Sequence, residues 1–163
     1  MQYYIESLGC AKNLVDSERF VAILESYGIH ETWEVTEADV ILVNSCAFLQ
    51  RSLDEFDRVL NGLLELTKDT TTKVIATGCV TTRALAEYQE LFPEVDAWIM
   101  LKDFAGFEKY LIKQVLPKQA KAGKLAPGGR IKFQDGQHVY LRISDGCENF
   151  CSYCMIPSIR GKL

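Results

Sequence analysis

"VILVNSC", residues 40–46, sets four aliphatic residues in a row before Asn44, Ser45 and Cys46. A continuous apolar run this short and this rich in β-branched residues reads as a strand buried on both faces, the kind that lies inside a parallel sheet covered by helices. The chain on either side supplies both strands and helices. "YYIESLG" (3–9) reads as strand 1 and "NLVDSERFVAILESYG" (13–28) as a helix. In that helix Leu14, Phe20, Val21 and Leu24 form the apolar stripe, Asn13 and Asp16 resemble a capping pair, and Gly28 suits the left-handed position past the end. "ETWEV" (31–35) reads as a short strand 2 ahead of the buried strand 3. Residues 48–67 then place Leu49, Leu53, Phe56, Leu60 and Leu63 on one helical face. "KVIATG" (73–78) reads as strand 4, residues 81–91 as a helix ending before Pro93, "AWIML" (97–101) as strand 5, and residues 104–116 as a helix stopped at Pro117. Five βα units in sequence predict an α/β fold. With right-handed crossovers it is an open parallel sheet of flavodoxin-like order 2-1-3-4-5.

A chain of 163 residues suits one domain of ordinary size with a remnant. The domain is expected over residues 1–117. Lys118 to about Asp135 has Gly123, Pro127, Gly128 and Gly129 and no apolar period, and reads as a linker over 118–135. A new domain is expected to start in 136–163, with "HVYLRIS" (138–144) as its first strand and Asp145 and Gly146 turning into a cysteine array. No run of 18 apolar residues could span a bilayer, and "MQYYIESLGC" shows no secretory signal, so the expected location is cytoplasmic, without a membrane partner. Six cysteines in a reducing compartment point to metal or redox chemistry rather than disulfides. Residues 1–117 hold 10 Lys and Arg against 19 Asp and Glu, a balance of −9, whereas residues 118–132 hold five basic residues and no acidic one. An acidic body argues against nucleic acid as the direct substrate and fits a basic protein better.

The cysteines form two sets of three. Cys10, Cys46 and Cys79 each end a predicted strand, in "SLGC", "VNSC" and "ATGC". In an open parallel sheet the carboxyl ends of the strands share one edge, so three distant thiols are expected to meet there, with Gly9 and Gly78 letting the backbone approach a bulky ligand. Free cysteines packed as small hydrophobes are the alternative, which leaves their common position after strands unexplained. Cys147, Cys151 and Cys154 stand in "CENFCSYC", a CxxxCxxC array with no fourth Cys or His following. Structural zinc sites favour paired CxxC units with four ligands, so zinc fits less well than an iron–sulfur cluster whose fourth iron position stays open. Neither His30 nor His138 has ligand spacing to a cysteine.

"CENFCSYC" resembles the signature of the radical S-adenosylmethionine (SAM) enzymes, and with "SLGCAKNLVDSE", "NSC" and "TGC" the chain is similar to their methylthiotransferase family over essentially its whole length. "SLGCAKN" and "IPSIRG" resemble the branch acting on a ribosomal-protein aspartate rather than on tRNA. The resemblance implies two 4Fe-4S clusters and S-adenosyl-L-methionine as cofactors. Cys147, Cys151 and Cys154 would bind the cluster that chelates SAM, with Tyr153 near the adenine, and Cys10, Cys46 and Cys79 would bind an auxiliary cluster. It also implies a small-subunit ribosomal protein as substrate and a reducing electron donor such as flavodoxin or ferredoxin. The family's catalytic barrel is longer than the nine residues after Cys154, so these 163 residues are expected to carry the auxiliary-cluster domain, the linker and the start of the radical SAM domain, and not to complete the reaction alone. The competing readings are a tRNA adenosine methylthiotransferase and a non-catalytic iron–sulfur binding module.

Overall fold

The computed structural model of the chain describes residues 1–125, 129–132 and 138–162. Strands β1 (Gln2–Ser7), β2 (His30–Glu31), β3 (Val40–Ser45), β4 (Lys73–Gly78) and β5 (Ala97–Trp98) form one parallel sheet in the order β2-β1-β3-β4-β5, the flavodoxin-like order expected. All six residues of β3 are buried, because β3 is central and helices cover both faces. Its side chains alternate between two apolar layers, as the period of a strand requires. Val40 and Leu42 join Phe20, Leu24 and Phe107, while Ile41 and Val43 join Phe56, Leu60 and Tyr88. The first layer belongs to helices α1 (Ala11–Ser26) and α5 (Phe104–Tyr110), the second to α2 (Gln50–Thr67) and α4 (Leu85–Leu91).

Helix α1 ends as its sequence demands. Gly28 takes φ +72°, its N–H donates to the Glu25 carbonyl at 3.0 Å, and the Ile29 N–H donates to the Leu24 carbonyl at 3.1 Å. These are the paired bonds of a Schellman motif. The start differs from expectation: α1 begins at Ala11 with Cys10 at the N-cap, and Asn13 and Asp16 lie buried inside the helix rather than capping it.

Five other elements depart from the sequence reading, the simplest being strand 5, which covers Ala97–Trp98 rather than 97–101. Only His30 and Glu31 pair with β1, and Val35–Glu37 coils into a 3-10 turn instead of extending strand 2. Trp33 there is exposed. The helix expected over 81–91 starts earlier, as α3 (Cys79–Arg83), and breaks at Ala84 (φ −150°) before α4, which lets Tyr88 stack with Phe92 and pack on Phe56. The helix over 104–116 keeps its α form only to Tyr110, and Leu111–Val115 forms a π-turn closed by the Leu116 N–H on the Leu111 carbonyl at 2.8 Å. Residues 138–144 form no strand: they have no strand partner among the described residues, and Leu141 and Ile143 stay exposed.

That last segment has a definite course. The Gly123 N–H donates to the Ser26 carbonyl at 2.6 Å, the Ile131 N–H to the Glu18 carbonyl at 3.0 Å, and Arg142 Nη2 to the Lys12 carbonyl at 2.8 Å. Successive contacts thus run antiparallel along α1, from its C-terminal end to its first turn. The route delivers residues 145–160 to the carboxyl edge of the sheet, where α6 (Ile156–Arg160) buries Ile159 in the α2-side layer.

Candidate metal centre

Cys10 follows β1, Cys46 follows β3 and Cys79 opens α3 directly after β4, so the structure brings all three to one edge. β1 and β3 are neighbours from which the chain winds in opposite directions, and the crevice at such a switch point is where open α/β sheets take ligands. A cavity of about 670 Å³ opens there, with Cys10, Cys46, Lys12, Arg51 and Arg160 on its wall. Cys10 is exposed, whereas Cys46 and Cys79 are buried.

Two glycines permit this arrangement. Gly9 (φ +98°) lies so close to Cys46 that a Cβ on it would overlap the cysteine's own, and Gly78 (φ +103°) lies against the Ser45 carbonyl and the Asn44 side chain. Both positions favour glycine through backbone conformation and through space.

Asn13 is the hub between the thiols. Its Oδ1 accepts from Cys10 Sγ at 3.4 Å, Cys79 Sγ at 3.8 Å and Arg160 Nη2 at 3.1 Å. Its Nδ2 donates to the Ser45 carbonyl at 2.6 Å and to Asn44 Oδ1 at 3.2 Å, while Asn44 Nδ2 donates to the Asn13 carbonyl at 2.8 Å and to Ser17 Oγ at 2.9 Å. The first turns of α1 are thereby fixed to the end of β3, and with them the positions of Cys10 and Cys46.

An ionic layer lies beside this hub. Arg160 Nη1 reaches Asp16 Oδ2 at 2.9 Å and Asp145 Oδ1 at 3.2 Å, Arg142 Nη2 reaches Asp16 Oδ1 at 2.6 Å, and Lys102 pairs with Asp145. Three cations meet two carboxylates, a surplus of positive charge next to three potential thiolates. Burial works against the charge on Arg160, but Cys79 and Asp16 outweigh it and hold the guanidinium above its ordinary value. Burial pushes the Cys79 thiol up, and Arg160 opposes that shift. Burial would raise the Asp145 carboxyl too, yet Lys102, Arg142 and Arg160 keep it below the usual range.

The second triplet lies in the loop ahead of α6. Cys147 and Cys154 are half-buried and Cys151 exposed, with the Cys154 N–H donating to the Cys151 carbonyl at 3.0 Å and the Cys147 N–H to the Gly161 carbonyl at 3.1 Å. Tyr153 is 88% exposed, so it is not engaged in packing. His30 sits where β2 begins, hydrogen-bonded to Glu25 at 2.8 Å, and His138 packs edge-on against Tyr140.

Among the described residues no group of three or more His, Cys, Asp and Glu side chains is set to hold a metal ion. The residues nonetheless suit an iron–sulfur cluster. The donors in each set are three thiols, the ligand type such clusters take, and Gly9 opens the backbone beside the first set. Arg160 and Arg142 also each keep a buried Nε with no acceptor among the described residues, donor capacity left over for an anionic group. The sequence reading missed Asn13, Asp16, Asn44, Arg142 and Arg160. A signal was present: Asn13, Ser17, Phe20 and Leu24 share one face of α1, so the apolar stripe continues into polar residues that must be buried with partners.

Residues 2–100 match a family described as "Uncharacterized protein family UPF0004". The chain is 38% identical over 172 residues to the ribosomal protein uS12 methylthiotransferase RimO of Clostridium tetani (strain Massachusetts / E88), an alignment covering 99% of this chain and 38% of that relative. It is 36% identical over 171 residues to the RimO of Clostridium perfringens (strain SM101 / Type A), with 96% and 37% covered, and 34% identical over 174 residues to that of Desulfotalea psychrophila (strain LSv54 / DSM 12343), with 100% and 38% covered. The chain spans less than two fifths of the length of these relatives. With more than half of its residues in the family match and RimO-like sequence along nearly all of it, the chain belongs to the UPF0004 family.

Proposed function

We propose that this chain is part of a cytoplasmic radical SAM methylthiotransferase that adds a methylthio group to the β-carbon of an aspartate in ribosomal protein uS12. The observation that carries the reading is the meeting of Cys10, Cys46 and Cys79 at the switch-point edge, with the CxxxCxxC segment led to that same edge along α1. The similarity to RimO proteins supports the substrate, as does the −9 balance of residues 1–117, which suits a basic ribosomal protein. Residues 1–117 form the auxiliary-cluster domain, 118–135 the linker and 136–163 the start of the radical SAM domain.

When bound, two 4Fe-4S clusters and SAM would supply the electron, the radical and the sulfur that an unactivated aspartate β-carbon requires, since it offers neither an acidic proton nor an electrophilic centre. Cys147, Cys151 and Cys154 would hold the SAM-binding cluster, with Tyr153 serving the adenine, and Cys10, Cys46 and Cys79 would hold the auxiliary one. Asn13 and Asn44 fix the first thiol set in position, Gly9 gives it room, and α6 packs beside it with Ile159 and Arg160 buried. A flavodoxin- or ferredoxin-type donor supplies the reducing electron.

Anaerobic loading with iron and sulfide tests the cofactor assignment: both triplets should take up about four irons each, and replacing either triplet by alanine should halve the iron. Iron unchanged by both replacements would overturn it. A longer protein that contains this chain, given uS12 and tRNA together with SAM, sulfide and a reductant, should add mass to uS12. Modified tRNA with unmodified uS12 would transfer the chain to the tRNA branch. The 163 residues alone should bind clusters and leave uS12 unmodified.

A further inference from the structure

We infer that Arg160 is a positioning residue of the first cysteine site, donating to the Cys79 sulfur while tying the segment of the second triplet to the edge that carries the first. The inference rests on the reading that Cys10, Cys46 and Cys79 hold a cluster. Arg160 lies 144 positions from Asp16 in sequence, yet its guanidinium is buried and meets four partners: Cys79 Sγ at 3.5 Å, Asn13 Oδ1 at 3.1 Å, Asp16 Oδ2 at 2.9 Å and Asp145 Oδ1 at 3.2 Å. Two partners, Asn13 and Cys79, belong to the first site. Asp145 stands two residues before Cys147, and Arg160 itself closes α6 six residues after Cys154. One side chain therefore joins both triplets.

The planar fork of arginine is what allows it. One Nη faces the two carboxylates and the other faces the amide oxygen and the sulfur, a division that a lysine ammonium on a flexible stem does not reproduce. A charged donor on a ligating sulfur draws electron density from it and stabilises the more negative, reduced state of a cluster, so hydrogen bonds to sulfur raise the reduction potential. The burial of Arg160 without full compensation by carboxylates fits this role. Its two carboxylates are shared with Arg142 and Lys102, and the remaining positive charge lies next to the thiols.

The test uses the 163-residue chain with Cys147, Cys151 and Cys154 replaced by alanine, so that bound iron reports only the first site. After anaerobic loading, the midpoint potential is compared for Arg160, Arg160→Lys and Arg160→Met, alongside amide hydrogen exchange of Ile159 and Gly161. The expected result is a more negative potential in Arg160→Met at equal iron content, an intermediate value in Arg160→Lys, and faster exchange in both. Arg142 also pairs with Asp16, at 2.6 Å, so neither substitution takes away the last cationic partner of that carboxylate. Should Arg160→Met fail to fold by circular dichroism, Arg160→Lys carries the test, because it keeps the charge and loses the second arm of the fork. Unchanged potentials at wild-type iron content would overturn the inference, since a purely structural arginine alters exchange and not potential. A parent chain that takes up no iron would overturn the reading beneath it instead, and the inference with it.

Discussion

At the scale of single residues, the site is built on amides and glycines before any thiol is used. Asn13 uses both ends of its side chain in the interior, donating to the Ser45 carbonyl and accepting from Arg160, so no aliphatic residue of similar size can replace it. Asn13→Ala should strand the Ser45 carbonyl and leave Arg160 Nη2 with the Cys79 sulfur as its remaining acceptor, at about 1–3 kcal/mol of stability. Urea unfolding measures that loss, and a change below about 0.5 kcal/mol would show that the network is looser than drawn. Gly78 makes a sharper case. At φ +103° with the Ser45 carbonyl in the way of any Cβ, Gly78→Ala should cost about 1–3 kcal/mol from backbone strain alone and displace Cys79, the next residue. Lowered iron uptake together with a lowered unfolding midpoint is the expected outcome, and a midpoint equal to the parent's would count against the strain.

Among the elements, α2 is the one in which sequence and structure agree most closely, and the reason is its periodicity. Leu53, Phe56, Leu60 and Leu63 fall on one face and are all buried, whereas the opposite face carries charges into solvent; only Leu49, expected on the same face, lies outside the helix as its exposed N-cap. Phe56 sits at the centre of that layer, against Tyr88 at 5.5 Å and Trp98 at 6.4 Å between ring centroids. Phe56→Ala should therefore cost about 3–5 kcal/mol, far more than any substitution on the exposed face, as read by thermal or urea unfolding. A loss under about 1 kcal/mol would mean that the layer refills the space. Buried strands were equally legible, because β3 and β4 need apolar residues on both faces. Elements at the margin were not. "ETWEV" has the composition of a strand, yet whether it pairs depends on a neighbour lying alongside, and only His30 and Glu31 have one. "HVYLRIS" fails for the same reason: strand propensity describes a fit to a sheet that has to be present. The break at Ala84 reflects the path from Cys79 to the Phe56 layer, a tertiary demand that no local pattern encodes.

In the whole molecule, the chain folds back on itself so that its last described helix completes a site begun at residue 10. The three strand-end cysteines were legible because topology converts sequence position into place: residues just past the ends of parallel strands share one edge of the sheet. The partners of those cysteines were not, because Asp16 and Arg160 lie 144 positions apart and meet only where the chain, touching α1 at Gly123, Ile131 and Arg142, has come back to its first turn. The tight body of the sheet has its own measurable consequence. Burial raises the pKa of Tyr27 and, further, of four other phenols: Tyr4 and Tyr110 are pushed up to about 12, and Tyr3 and Tyr88 higher still. An unfolded tyrosine ionises near 10, roughly. The folded state thus holds these protons more tightly than the unfolded state does, so the stability they contribute is complete below about pH 10 and is lost as pH rises through the folded values. Alkaline titration of the folded chain should leave at least these four of its seven tyrosines neutral at pH 11, with their phenolate absorbance appearing only as the far-ultraviolet circular dichroism collapses. Seven phenolates at pH 11 with the helical signal intact would mean that water reaches the strand faces on which Tyr3 and Tyr4 lie, and that the two layers are not closed around β1.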